Sequence, residues 1–171
     1  SCGAIELTAL HSDPVTYHRR AKHIRQSGTD DYFFSVMLDG TGHFSQNDRA
    51  VRHDTGSVLI YDSARPYSYD YLRPYKALLL RAPRHMVESR FRGARDLGGT
   101  LLSAGAPQSG LIRALISNLI ETAREDDLPE AFVTPAIDLI ANAFTMGAPL
   151  SGASQDRRGA ALDKVKRHML E

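Results

Sequence analysis

The chain is short of cysteine, of net charge and of long apolar runs, and each shortage excludes something. Cys2 is the single cysteine in 171 residues. One thiol cannot close an internal disulfide, which suits a reducing cytoplasm. Nothing beside Cys2 resembles the base that activates a nucleophilic thiol. No apolar stretch approaches the roughly 18 residues that a membrane helix needs. The opening Ser1-Cys2-Gly3-Ala4-Ile5-Glu6 has neither the basic start nor the apolar core of a secretory signal. The formal net charge is only +1, so this segment has no general attraction for nucleic acid, an anionic membrane or an acidic substrate. A cytoplasmic protein without a membrane partner is expected.

Catalytic signatures are missing as well. There is no Gly-x-Ser-x-Gly, no phosphate loop, no dinucleotide glycine fingerprint and no Cys-x-x-Cys. Internal repeats and low-complexity tracts are absent. Carboxylates cluster at Asp30-Asp31 and Glu125-Asp126-Asp127. Both clusters lie beside turns or at a helix end, where solvated charge is the default. No catalytic residue and no cofactor are assigned.

What is present is enough for one ordinary domain with a real core, at 42% hydrophobic and 24% charged residues. The first half has the period of strands. Leu7 to Leu10 and Thr16 to Arg20 alternate loosely, and Tyr32 to Leu38 is aromatic and β-branched. His43-Phe44-Ser45-Gln46, the turn Asn47-Asp48 and Arg49-Ala50-Val51-Arg52 predict a hairpin. Val58 to Tyr61 is a short buried strand, Tyr67-Ser68-Tyr69-Asp70-Tyr71 alternates strictly, and Lys76 to Arg81 stops before Pro83. Six or more short strands point to a sandwich or barrel.

The second half changes to a helical period. A short helix is expected from Arg84 to Phe91, then a glycine-rich loop from Arg92 to Gly110. Ile112, Leu115, Ile116, Leu119, Ile120 and Ala123 form one apolar stripe; Phe132, Ala136, Ile137, Ile140, Ala143 and Phe144 form another. Gly147 to Ser154 cannot continue a helix and reads as a linker. Leu162, Val165 and Met169 then begin a third amphipathic helix with Lys164, Lys166, Arg167 and His168 on its other faces.

A β-rich half, two amphipathic helices, a linker and a fresh basic helix, in that order, resemble the AraC family of bacterial transcription regulators, in particular those with an AraC-binding-like sensor domain. The match runs through Asp30 to Gly42, Gly56 to Tyr67, Lys76 to Pro83 and Phe91. Its most telling part is Tyr61-Asp62-Ser63-Ala64-Arg65-Pro66-Tyr67, which is similar to a "YDTSRPY"-like run of that family. The resemblance implies an α+β fold: a cupin-like β-barrel or jelly roll followed by two or three packed α-helices. It implies an effector-binding and dimerisation domain at residues 1–147, a linker at 148–157, and the start of a truncated helix-turn-helix domain at 158–171. DNA would be contacted by the C-terminal domain beyond, as a homodimer, and no enzyme activity is expected.

Two other readings stay open. A metal-dependent cupin enzyme acting on a small molecule would need two closely spaced histidines, a nearby glutamate and a later third histidine. Here His43 stands alone, no glutamate lies between Glu6 and Glu88, and His53 sits beside a turn signal. The metal-ligand count is therefore not met, and both histidines read as surface or strand-edge residues. A barrel used only for protein interaction is the third reading.

The effector pocket is expected inside the barrel, apolar with a few orienting polar groups. On the earlier strand Phe33, Ser35 and Met37 share a face. Aligned on the resemblance, Tyr67, Tyr69, Lys76, Leu78 and Leu80 would point inward, while a register error of one residue would reverse a set. The expected ligand-binding residues are thus Ser35, Met37, Tyr67, Tyr69, Lys76, Leu78 and Leu80. An aromatic cavity with one cation suits an aromatic or short organic acid; plain barrel core is the competing reading. The basic run His18 to Arg25 is expected as a solvated edge strand, in which one inward arginine could meet an acidic effector. Arg65, before Pro66 in a turn, could pair with Asp62 or reach a ligand, and the structural role is the one expected. Leu115, Ile116 and Leu119 are the expected dimer interface.

Overall fold

A computed structural model describes residues 5–28, 30–125 and 128–147 of the chain. The expected linker at 148–157 and the helix at 158–171 lie outside the described residues. The β-rich half supplies β1 (Glu6–Ser12), β2 (Val15–Arg19), β3 (Asp31–Asp39), β4 (Thr41–Gln46), β5 (Arg49–Asp54), β6 (Val58–Asp62), β7 (Tyr67–Tyr71), β8 (Tyr75–Pro83) and β9 (Thr100–Leu102). A short helix α1 (Ala21–Ser27) joins β2 to β3. The remaining helices are α2 (Arg84–Glu88), α3 (Pro107–Glu125) and α4 (Glu130–Gly147).

The strands form two antiparallel sheets. One has the order β1-β8-β3-β6-β9 and the other β2-β7-β4-β5. They face each other as the two walls of a flattened barrel. Asn47 and Asp48 both take positive φ, 53° and 59°, the conformation a two-residue hairpin turn requires. A register shift between Met37 and Asp39 ends the regular β3–β8 ladder, as a bulge does.

Two apolar clusters follow from this layering. The first lies between the five-stranded sheet and the helices. It contains Tyr32, Phe34, Val36, Ile60, Leu78 and Leu80 from the sheet, and Ile112, Ile116, Ile137, Ile140 and Phe144 from α3 and α4. The second lies between the sheets and is mostly aromatic: Phe44, Tyr61, Tyr69, Tyr71 and Tyr75 with Met37, Leu59 and Ala77. The five-stranded sheet is thus buried on both faces, which is why Val58–Asp62 is buried at every position.

Several expectations need correction. The basic run does not continue as a strand. β2 is an edge strand as expected, but it stops at Arg19, and Ala21–Ser27 is helical, capped by Gly28 at φ 59°. The glycine-rich loop contains a 3-10 turn and β9, and α3 begins at Pro107, five residues before the apolar stripe. Lys76, Leu78 and Leu80 do not face the barrel interior. Their neighbours Tyr75, Ala77 and Leu79 do, so Leu78 and Leu80 sit under the helices and Lys76 is exposed. Ile116 and Leu119, expected at a dimer interface, are 0% and 7% exposed within the protomer, and Leu115 packs beside them. The stripe on α3 is wide because it covers a sheet.

Candidate functional site

The barrel interior is built in layers by the alternation of its strands. On the four-stranded wall, Arg19 pairs with Tyr67, Tyr17 with Tyr69, and Val15 with Tyr71. Across from them Phe44 pairs with Tyr69 and Val51, and Gly42 with His53. On the opposite wall Phe33 pairs with Tyr61 and Arg81, Ser35 with Leu59 and Leu79, and Met37 with Ala77. One end of the barrel therefore carries Arg19, Tyr67, Phe33 and Tyr61, the middle is aromatic, and the other end carries His53, Tyr71 and Tyr75.

The rings touch throughout. Phe33 and Tyr61 stack at 5.1 Å and 9°, Tyr61 meets Tyr67 edge-on at 5.1 Å, and Tyr69 stacks on Tyr71 at 4.3 Å. Gly42 lets the backbone approach this stack. A Cβ there would lie 2.5 Å from the Tyr69 ring and 3.0 Å from that of Tyr71. Burial pushes the phenols of Tyr61, Tyr69 and Tyr71 well above their ordinary value and that of Tyr75 up to about 12. All stay neutral donors at physiological pH.

His53 corrects the surface reading of that residue, since it is 0% exposed. Its Nε2 lies 3.2 Å from the Ser57 carbonyl. That oxygen only accepts, so Nε2 carries the proton and Nδ1 accepts from the Tyr69 hydroxyl. Burial penalises the imidazolium and lowers the pKa to about 4. Unfolded, the ring titrates near 6.5. Above pH 6.5 both states are neutral and stability is complete. Between 6.5 and 4 only the unfolded chain takes up the proton, so stability falls with pH and the loss is complete below 4. A fall of about 2 kcal/mol in unfolding free energy between pH 7 and pH 5 is expected. Urea titrations at both pH values check it, with the drop removed in His53→Gln. An equal drop in that variant would assign the effect elsewhere.

A second polar centre stands outside the barrel, where the Tyr61 to Tyr67 motif turns. Asp62 is 1% exposed. It accepts from the Ala64 backbone at 2.9 Å, from Arg84, and from Arg65 at 3.5 Å. Arg84 also bonds Asp30 and Glu88 and lies 4.7 Å from the centre of the Tyr32 ring. Gln46 donates to the Asp62 carbonyl at 2.8 Å and accepts from its N–H at 2.9 Å. Arg65 thus plays the structural part expected of it.

Of the residues expected to bind a ligand, the structure gathers Ser35, Met37, Tyr67 and Tyr69 in the barrel and leaves Lys76, Leu78 and Leu80 outside. Sequence reasoning missed Tyr75, His53 and the close approach at Gly42. Pairing His53 with Gly42 across the Asn47-Asp48 turn was the available signal. Among the described residues no group of three metal-ligating side chains is positioned to hold an ion, and none of their buried side-chain nitrogens or oxygens lacks a partner. No described helix is long and apolar enough to cross a membrane.

The fold is a two-sheet sandwich with an aromatic interior and a helical cover. The chain belongs to the AraC-binding-like domain family, whose model matches residues 1–154. It is 24% identical over 169 residues to the transcriptional activator NphR of Rhodococcus sp., covering 96% of this chain and 50% of that protein. It is also 24% identical over 147 residues to an uncharacterized protein in the nit 5' region of Bacillus sp. (strain OxB-1), covering 82% of this chain and 56% of that one. The chain spans about half the length of these relatives. In fold it is similar to the AraC-like transcriptional activator CuxR, with a TM-score of 0.76 at 16% identity over 89% of this chain and 57% of that one. ToxT from Vibrio cholerae O395, bound to (E)-4-(8-methylnaphthalen-1-yl)but-3-enoic acid, matches with a TM-score of 0.55 at 12% identity, over 84% and 56% of the two chains.

Proposed function

We propose that this chain is the effector-sensing half of an AraC-type transcription regulator, acting in the cytoplasm without catalysis. A small molecule occupies the aromatic interior, and two protomers pair through their helices. DNA is contacted by a separate domain, and effector binding shifts a pre-existing equilibrium in how that domain is held. The observation that carries the reading is the interior itself: neutral phenols and one neutral imidazole pack between the two sheets, with Phe33 and Tyr67 half-buried at one end. Such a surface suits an aromatic or short organic acid. The solved complex of ToxT with an aryl-substituted butenoic acid supports the same class.

The dimer surface we assign is the groove between α3 and α4, not the stripe facing the sheet. It has a volume of about 590 Å³ and is lined by Leu111, Pro135, Leu139 and Met146 among others. A thermal-shift screen of aromatic and short organic acids tests the sensing role. A compound at about 100 times its Kd adds about 2.7 kcal/mol, which raises Tm by roughly 5 to 10 °C for a chain of this size. A screen in which no acid and no neutral analogue moves Tm would overturn it.

A further inference from the structure

We propose that the cleft where three turns meet, at the His53 end of the barrel, is a second binding site. It takes a small monocarboxylic acid, with the carboxylate on Arg73 and Arg52 and the apolar body on Leu72 and Pro74. The site lies outside the aromatic interior, and its test is independent of the sensing role.

The cleft has a volume of about 690 Å³, within the range of small-molecule sites. Its walls are the β3–β4 turn at Gly40, the β5–β6 turn at Thr55 and the β7–β8 turn at Leu72, Arg73 and Pro74. His43 on β4 and Arg52 on β5 are paired in register and complete the lining on one side.

The three turns are tied into one frame. Gly40 takes φ 102°, and a Cβ there would lie 3.0 Å from the Tyr75 Cβ and 3.1 Å from the Pro74 carbonyl oxygen. The first and third turns are therefore in direct contact, at a position that favours glycine. The Thr55 hydroxyl donates to the Gly40 carbonyl at 3.1 Å and joins the second turn to the first. Thr41 donates to Asp54 at 2.9 Å, and Asp54 also accepts from Nε of Arg52 at 2.7 Å. That bond holds Arg52 through Nε and, among the described residues, leaves its terminal nitrogens unbonded. A frame fixed before binding lowers the ordering cost of a ligand.

Charge selects the ligand. Arg52 answers Asp54, and Asp39, the acidic member of the lining, lies opposite Lys76 in the β3–β8 register. Arg73 is exposed and, among the described residues, has neither a hydrogen bond nor an ion pair. The cleft thus presents one unmatched guanidinium fork, which a carboxylate meets at two points. The terminal N–H groups of Arg52 and the His43 ring are further donors in the same lining. A phosphate dianion would bring one charge more than the cleft leaves unmatched, with Asp39 in the same lining. Leu72 is 72% exposed. A lone exposed leucine is ordinary, but here it shares a turn with the unmatched fork and with Pro74. That pairing suits an acid whose apolar body covers Leu72.

The test is an NMR titration of the chain with acetate, hexanoate and 3-phenylpropanoate, each against its amide. Hexanoate or 3-phenylpropanoate should bind about tenfold more tightly than its amide, the scale of one charge-assisted bond at an exposed site, and more tightly than acetate. The Arg73 Nε–H resonance should move with the acid and stay with the amide. Arg73→Gln should abolish the preference over the amide, and Leu72→Ser should shrink the gain over acetate. Both side chains are exposed, so circular dichroism should be unchanged in both variants. Absence of binding by both longer acids, full preference retained in Arg73→Gln, or displacement of the bound acid by inorganic phosphate at equal concentration overturns the site. An acid that leaves Arg73 unmoved and shifts the rings of Tyr67 and Tyr69 overturns it too, and places that acid in the interior instead.

Discussion

Replacing Arg84 with methionine is expected to lower the unfolding free energy by about 3 kcal/mol, the low end for breaking a buried ion pair from one side. Asp62 is 1% exposed and Arg84 18% at its side chain. Without the guanidinium, Asp62 keeps only the Ala64 N–H and the longer contact to Arg65. Asp30 and Glu88 each lose the bond from Arg84 as well, though Glu88 keeps those from Arg95 and Tyr32. Glu88 reports the same network. Hydrogen bonds from Arg95 first, then from Arg84 and Tyr32, hold its carboxyl down to about 2. Its contribution is present above the ordinary carboxylate range near 4.3 and is lost as pH falls toward 2. Urea titration measures the loss. The double variant Arg84→Met with Asp62→Leu should recover much of it, since no charge is then left buried. A loss below about 1 kcal/mol in Arg84→Met would mean that water or Arg65 replaces the guanidinium.

That network explains why the Tyr61 to Tyr67 motif was the most readable part of the chain. Tyr61 and Tyr67 face the interior, while Asp62 and Arg65 turn the chain and fasten α2. α2 in turn reaches α4, since the Arg90 that follows it bonds Asp138 at 3.0 Å. One short motif thus joins the aromatic interior to the helical cover. Its residue types announced a turn, but not the long-range partner Arg84.

Other parts were legible in proportion to how strictly polarity alternates. Tyr67–Tyr71 places tyrosine at every second position, so its inward face was unambiguous. β8 gives no such signal. Leu78, Leu79 and Leu80 are consecutive and apolar, because a sheet covered on both faces wants apolar side chains on both. The phase of β8 is fixed by pairing with β1 and β3, which local sequence does not contain. The polar start of α3 hid its first turn, and β9 is only three residues long. His53 looked like a turn residue because the turn begins just after it; its ring is held inside by Tyr69 two strands away and by the Ser57 carbonyl.

The widest consequence concerns α3, where apolar residues have two destinations. Ile116→Asp is expected to leave the chain largely unfolded at 25 °C. It places a charge where exposure is 0% and removes a side chain packed between sheet and helices, a loss of about 4 kcal/mol or more. Leu111 and Leu139 are 52% and 38% exposed, so Leu111→Glu with Leu139→Glu should change stability by about 1 kcal/mol at most. Sedimentation velocity should nevertheless find that double variant a monomer at concentrations where the unsubstituted chain is a dimer. Circular dichroism separates the two effects, with lost helix signal for Ile116→Asp and an unchanged spectrum for the double variant. A folded Ile116→Asp chain would contradict the packing of α3 on the sheet. A folded double variant that remains dimeric would move the interface off the α3–α4 groove. Because Asp138, which receives Arg90, lines that same groove, the proposed interface lies one residue from the tie between α4 and α2. On that proposal, pairing of protomers and the barrel's anchoring network would meet on α4.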